Sequence, residues 1–245
     1  MRVPADTLVD CELTWLDREP IDVSRARDQH SAYCDVLRKL GLDVEVLPPD
    51  DRYPDSTFVE DAALILDEVA VLTRPGAGSR RGEPALLEAT LARHRPVVRM
   101  VQGQLDGGDV IRAGRRLFVG VGSRTDGTGL AALQGAAGPG YEVVGVDFQG
   151  CLHLKSAATM LDDEVVLLNP DWVNPNRFPA LRALAVDPAE PWAADVLRVH
   201  DTVLMNAACP RTMALVRARG YRVEAINVSE FMKAEAAITC LSLIV

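Results

Sequence analysis

The sequence predicts an α/β fold built from about five ββαβ units set around one axis. Three observations predict it. The chain has 245 residues, 48% of them hydrophobic, which is enough for a sizeable core and too apolar for a disordered chain. A pattern of two short β-like runs joined by a polar turn, then a helical stretch, then another β-like run, recurs along it. The recurrences begin near residues 60, 106, 153, 194 and 235, at spacings of 46, 47, 41 and 41. That period also suits bladed all-β propellers and helical solenoids. A unit that mixes strands with one helix disfavours both.

In the first unit, residues 61–66 and 69–73 read as strands around the turn Asp67-Glu68. Leu86, Leu87 and Leu91 give residues 80–94 a helical spacing, and 96–101 closes the unit as a strand. The second unit has a hairpin at 110–111 and 117–121 around Ala113-Gly114-Arg115, a Gly-rich helix at 125–137 and a strand at 141–148. The third pairs 157–161 with 165–168 and offers a short helix at 178–183. The fourth has strands at 196–199 and 203–205, a helix at 211–219 and a strand at 221–228. The fifth combines 237–245 with the N-terminal residues 8–16, a helix at 24–40 and a strand at 43–47. No low-complexity linker divides the chain, so residues 1–245 are expected to form a single domain.

The formal net charge of −9 argues against nucleic acid, whose phosphates call for a basic stripe, and is compatible with a cationic ligand. Five cysteines without a C-x-x-C pair read as reduced thiols, hence a cytoplasmic protein. Residues 1–10 carry no apolar signal segment, and no apolar run approaches the roughly 20 residues of a membrane helix. No membrane partner is expected.

The starts of the five units hold Glu60-Asp61, Asp106, His153, Asp195 and Cys240. Acids, a histidine and a cysteine at one phase of a repeat would converge on a common centre. Taken singly, each has a plainer reading. Cys240 could be a small apolar residue in a C-terminal strand. Asp55, Glu60 and Asp61 could be a solvated face, and Arg80 and Arg124 surface charge. Asp106-Gly107-Gly108-Asp109 could be only a turn. Cys151 lies two residues before His153 but lacks the further ligands of a zinc site.

Six segments in order change that balance. They are Pro54-Asp55-Ser56-Thr57-Phe58-Val59-Glu60-Asp61, Thr73-Arg74-Pro75-Gly76-Ala77 with Ser79-Arg80-Arg81, Leu105-Asp106-Gly107-Gly108-Asp109-Val110, Gly122-Ser123-Arg124-Thr125, Leu152-His153-Leu154-Lys155-Ser156, and Thr239-Cys240-Leu241-Ser242. Together they resemble the dimethylarginine dimethylaminohydrolase family of the guanidine-modifying superfamily, over nearly the whole chain. The resemblance implies a five-fold pseudosymmetric α/β propeller. It implies Cys240 as nucleophile, His153 as general acid and base, and Asp106 as the carboxylate that orients the histidine. Asp55, Glu60 and Asp61 would receive the cationic end of the substrate, since guanidinium is a planar multiple donor suited to carboxylates. Arg80 and Arg124 would hold its α-carboxylate, and the backbone carbonyls of Leu13 and Ala234 its amino group. The other four cysteines, Cys11, Cys34, Cys151 and Cys209, match no such position.

The implied reaction hydrolyses an Nω-methylated arginine to citrulline and a methylamine through a covalent thiouronium, with no metal or organic cofactor. The implied partner is a small-molecule guanidine, and a homodimer is compatible with the resemblance. Hydrolysis or amidino transfer on another guanidine, such as arginine, and a non-catalytic guanidine-binding role are the alternatives. Two departures bear on the substrate. Asp195 stands where many relatives have an uncharged amide, and Glu235-Ala236-Ala237 replaces a more glycine-rich approach to the nucleophile. Charge adds one expectation: a thiol among Asp55, Glu60, Asp61 and Asp106 is held neutral until a cation arrives. Residues 6–22 and 76–82, which carry matched positions and turn formers, are the expected lid segments.

Overall fold

Four times along the chain a β-hairpin is followed by a crossover into a strand parallel to the hairpin's second strand. The computed structural model describes residues 1–245. The chain opens with a 3₁₀ helix at Asp6–Asp10 and the long helix α1 (Val23–Lys39), capped by the Asp22 carboxylate, which accepts from the Arg25 amide. A helical turn α2 (Val59–Ala62) then leads into β1 (Ala63–Ile65) and β2 (Ala70–Leu72), and α3 (Glu88–Leu91) crosses to β3 (Val97–Arg99). The second unit runs β4 (Val110–Ala113), β5 (Arg116–Val121), α4 (Gly127–Ala137) and β6 (Glu142–Asp147). The third runs α5 (Leu154–Ala157), β7 (Ala158–Met160), β8 (Val165–Leu168) and β9 (Arg182–Ala185). The fourth runs β10 (Leu197–Val199), β11 (Thr202–Asn206), α6 (Pro210–Ala218) and β12 (Arg222–Ile226), and α7 (Ser229–Met232) follows.

Each unit is a three-stranded sheet with its second strand in the middle, antiparallel to the first and parallel to the third. Representative registers are Ala63 opposite Leu72 and Leu72 beside Arg99. The middle strands read as continuous apolar runs, such as Val165-Val166-Leu167-Leu168, because both their faces are covered. The third strands are the outer, more exposed edges. The first strands β1, β4, β7 and β10, with residues 242–244, surround an axial cavity of about 290 Å³. The α/β propeller of ββαβ units around a centre is therefore the observed architecture.

Three expectations need correction. Residues 80–94 are not one helix but short pieces at Gly78–Arg80, Glu83–Leu86 and Glu88–Leu91. Pro84 lacks an N–H and is tolerated only in the first turn of its piece. The helix expected at 178–183 does not form: a 3₁₀ turn at Pro175–Arg177 precedes Pro179 and Ala180, the latter at φ 69°, and β9 starts two residues later. The fifth unit has its helix but no sheet. Its only β pairing is the parallel bridge between Arg2 and Leu47, and residues 239–241 form a 3₁₀ turn. Here α1 closes the ring by packing rather than by a ladder: Tyr33 and Leu37 share a core with Leu8, Phe58, Phe231, Ile238 and Leu241.

Short helical turns also precede the first strands where the sequence suggests strand alone. They are α2, the 3₁₀ turn Gly107–Asp109, α5, and, in the fifth unit, Thr239–Leu241. These turns point their residues at the axis. Gly107 is required there, because a Cβ would meet the carbonyl oxygen of Glu60 at 2.0 Å. At Gly108 a Cβ would press on Asp61 and on the His153 ring, 2.7 Å from each.

The expected lid at 6–22 is tied down at its middle. Glu235, at φ 55°, accepts hydrogen bonds from the amides of Thr14, Trp15 and Leu16. The Glu12 amide donates to Asp55, and the Glu12 carboxylate accepts from Ser79 in the other expected lid segment. Replacing Glu235 by Ala leaves three neighbouring amides without their carboxylate, at a cost of about 1–2 kcal/mol. Limited chymotrypsin digestion should then cut after the exposed Trp15 faster than in the unsubstituted protein. Equal cleavage rates would contradict this clamp.

Candidate functional site

The turns at the unit starts bring the sequence-matched residues to one place. His153 immediately precedes α5, and its Nε2 lies 3.0 Å from Asp106 Oδ2. Its Nδ1 lies 3.8 Å from Asp61 Oδ1. Asp106 is wholly buried, accepts from the Gly76 amide at 2.9 Å, and has Arg124 Nη1 at 3.5 Å. Cys240 sits in the Thr239–Leu241 turn, buried against the apolar core, and the charges of Asp195, Glu60 and Asp61 act on it. Asp61 is thus the common neighbour of the histidine and the cysteine.

Glu60 forms the floor. One of its oxygens pairs with the Lys155 ammonium, and the other accepts from the Thr239 hydroxyl at 2.6 Å. Asp55 is buried at the outer side, where it receives the Glu12 amide. The Leu13 and Ala234 carbonyls accept no hydrogen bond from the chain.

The two arginines differ. Arg80 has every guanidinium nitrogen engaged: Nη1 on Asp61 at 2.6 Å, Nε and Nη2 on Glu83 at 3.0 and 2.8 Å, and Nη2 on the Asp55 and Phe58 carbonyls. It is a buried organiser of carboxylates here, with each guanidinium nitrogen already hydrogen-bonded within the chain. Arg124 is equally buried, yet its Nη1 makes no hydrogen bond and has only the longer ion pair to Asp106 at 3.5 Å, while its Nη2 touches the Thr14 hydroxyl. A buried guanidinium nitrogen without an acceptor is costly unless a ligand anion supplies one.

Asp109 is a site residue that the sequence reading passed over. Its two oxygens accept from the Thr125 hydroxyl at 2.6 Å and from the Leu154 amide at 2.9 Å. It thereby anchors the start of α5 and the direction of His153. The available signal was the second acid of Asp-Gly-Gly-Asp. Thr239 and Glu83 were likewise missed, because a lone Thr and a lone Glu carry no signature.

The electrostatics favour a charged histidine beside a neutral thiol. Burial opposes charge on His153, but Asp61, the bond to Asp106 and nearby Asp109 outweigh it and lift its pKa to about 9. Burial likewise opposes ionisation of Asp61, but His153, Arg80 and the Gly108 amide bring it down to about 2. Burial first, then Asp195, Glu60 and Asp61, push the Cys240 thiol well above its ordinary value. The ligand atoms of Asp61, Asp106 and His153 lie within 4.8 Å of one another, a spacing that a metal could use. Both carboxylates, however, also face arginine guanidinium, which a second cation would oppose, and the set is better suited to sharing protons.

The raised His153 pKa predicts a stability profile. A histidine raised on folding stabilises fully below its ordinary value of about 6.5 and loses that contribution as pH rises through about 9. Thermal unfolding from about pH 6.5 to about pH 9 should show a loss of roughly 2–3 kcal/mol, or a fall in Tm of ~5–10 °C. A flat or rising Tm over that interval would refute the assigned charge.

Comparison with known proteins places this geometry. The family described as N,N dimethylarginine dimethylhydrolase, eukaryotic, matches residues 14–177. The N(G),N(G)-dimethylarginine dimethylaminohydrolase of Streptomyces coelicolor is 39% identical over 99% of this chain and 94% of its own length. That of Pseudomonas aeruginosa is 35% identical, covering 99% of this chain and 96% of its own. A crystal structure of the Pseudomonas aeruginosa enzyme, a cysteine-to-serine variant complexed with citrulline, superposes with a TM-score of 0.91 at 34% identity, over 96% of this chain and 93% of that one. With the six ordered segments, the histidine–aspartate pair and the buried cysteine turn all at one centre, the chain belongs to the dimethylarginine dimethylaminohydrolase family.

Proposed function

We propose that the chain hydrolyses Nω-methylated arginines to citrulline and a methylamine, with Cys240 as nucleophile and His153 as general acid and base. The observation that carries this reading is the pairing of a histidine held charged by Asp61 and Asp106 with a buried thiol ringed by acids. The guanidinium carbon is a poor electrophile because resonance spreads its charge. Asp55, Glu60 and Asp61 would fix the group so that this carbon faces Sγ. The incoming cation offsets the negative field that keeps the thiol neutral, so the substrate itself promotes the thiolate.

The chemistry runs in two halves. The Cys240 thiolate adds to the guanidinium carbon and gives a tetrahedral adduct. His153, protonated, gives its proton to the departing methylamine nitrogen as the C–N bond breaks, leaving a covalent thiouronium. The neutral histidine then takes a proton from water, whose oxygen adds to the same carbon. Loss of the thiolate, with return of the proton, gives the ureido group of citrulline. Asp106 keeps the ring oriented throughout.

The amino-acid end is read at the lid. Arg124, with its free nitrogen, supplies the donor for the α-carboxylate, while Arg80 serves that end indirectly by holding Asp61 and Asp55 in place. The free carbonyls of Leu13 and Ala234 suit the α-ammonium. Five unpaired thiols fit a reducing compartment, and we place the enzyme in the cytoplasm. No helix is long and apolar enough to cross a membrane.

Incubation with dimethylarginine, monomethylarginine and arginine, with assay of citrulline, methylamines and ammonia, tests the substrate. Release of ammonia from arginine alone would replace this reading with the other-guanidine alternative, and tight binding without turnover would replace it with the non-catalytic one. Cys240→Ser should lower turnover at least about a thousandfold while the variant still binds the guanidine. Arg124→Ala should raise KM roughly ten- to hundredfold, with a smaller change in kcat. A guanidine without an α-carboxylate should not distinguish that variant from wild type. An equal penalty on both substrates would place Arg124 elsewhere in the mechanism.

A further inference from the structure

Behind the cysteine turn, three oxygens compete for one proton. Asp195 lies just before β10 and is 4% exposed. Its direction is fixed, because the Thr159 hydroxyl donates to the Ala194 carbonyl and accepts from the Val196 amide. Asp195 Oδ1 accepts from the Thr239 amide at 3.0 Å, the first amide of the turn that carries Cys240. Asp195 Oδ2 lies 3.1 Å from Thr239 Oγ1, and Glu60 Oε2 lies 2.6 Å from the same hydroxyl. A hydroxyl has one proton to give and can also accept. It cannot donate to both carboxylates, so the arrangement is complete only if one of them is protonated. Glu60 has the Lys155 ammonium against its other oxygen, whereas no cation contacts Asp195.

We propose that Asp195 works as a neutral carboxylic acid, donating to Thr239 and accepting from its amide, and so is a positioning residue that fixes the Cys240 turn without adding negative charge beside the sulfur. The proposal rests on the reading of Cys240 as nucleophile. Thr239 then passes its own proton toward Glu60, which gives a directed chain from Asp195 through Thr239 and Glu60 to Lys155. Glu60, Lys155 and Thr239 line the axial cavity, so this chain gives the buried acid a route for proton exchange. The groups that face Asp195 agree with a neutral form. Glu60 on α2 disfavours a further anion, the neutral Cys240 thiol brings no compensating charge, and Tyr33 on α1 is an uncharged phenol bonded to Ser242. Glu235 shares a small cavity of about 50 Å³ with Asp195 and adds no positive charge. Lys155 is the one favourable cation, and it is committed to Glu60. Burial, followed by Glu60, raises the Asp195 carboxyl to about 7, although the two Thr239 contacts pull it back.

The test compares wild type with Asp195→Asn and Asp195→Ala. An asparagine reproduces the neutral acid: its oxygen accepts from the Thr239 amide and its NH₂ donates to the hydroxyl. Ultraviolet thiolate absorbance, corrected with Cys240→Ser for the other four thiols, should agree between wild type and Asp195→Asn below about pH 7, and should show roughly tenfold more thiolate in Asp195→Asn only above it, where wild-type Asp195 ionises. The kcat/KM of wild type should fall relative to that of Asp195→Asn as pH rises through about 7. Asp195→Ala should lose both Thr239 contacts and lower kcat more than it changes KM. A protonated-carboxyl infrared band at about pH 6, missing from Asp195→Asn, gives a reading independent of turnover. Losses in Asp195→Asn equal to those in Asp195→Ala at every pH, a wild-type kcat/KM already well below that of Asp195→Asn at about pH 6, or a missing infrared difference would overturn the proposal. Full turnover in Cys240→Ser would instead remove the nucleophile reading. An inactive Cys240→Ser together with equal losses in Asp195→Asn and Asp195→Ala would remove only the role of Asp195.

Discussion

Asp61 is the charge on which the rest of the site depends. One of its oxygens takes the Gly108 amide and faces His153, and the other takes Arg80. It therefore joins the first, second and third units, and it acts on the cysteine of the fifth. A buried carboxylate is tolerable only when its oxygens are satisfied and a cation is near. Arg80 meets that condition, and Glu83 together with the Asp55 and Phe58 carbonyls satisfies Arg80 in turn. The result is a fixed anion beside His153, which keeps the imidazole charged inside a dry core.

The same fixed charges explain why the thiol waits. Burial makes a thiolate costly at this sulfur, and the carboxylates of Glu60 and Asp61 add to the cost. A guanidinium is the kind of ligand that relieves both, because it brings charge and fills the space between the carboxylates. The enzyme would then hold its nucleophile in reserve until a cation of the right shape is seated. On the proposed reading, the loop at residues 12–16 serves the other end of the ligand. Glu12, Thr14 and the amides of 14–16 are held by Asp55, Arg124 and Glu235, so the loop is ordered by site residues themselves.

The propeller is the scaffold that makes such convergence inexpensive in chain length. Each unit buries its middle strand and sends its first strand toward the axis. A short helical turn ahead of that strand projects one or two polar residues at the centre. Gly107 and Gly108 let the second unit's turn come close enough to the first unit for Asp61 and His153 to meet.

The sequence by itself determined the repeat, the hairpin that opens each of four units, and which residues stand at the repeat starts. Those features are local: apolar spacing, turn residues and recurrence at a fixed phase are carried by neighbouring positions. Glu60, Asp61, Asp106, His153 and Cys240 were legible for that reason, and ordered motifs extended the reading to Asp55 and Arg124. Local rules misjudged residues 80–94 and 178–183, where prolines override apolar spacing, and they gave the fifth unit a sheet that packing of α1 replaces. Tertiary structure alone decided the partners. That Arg80 serves Asp61, that Asp109 anchors α5, that Arg124 keeps a free donor and that Asp195 shares Thr239 with Glu60 all depend on contacts across units. A side chain's protonation and purpose follow from what is buried beside it, and residues brought together from different units leave no mark of that meeting in the order of the chain.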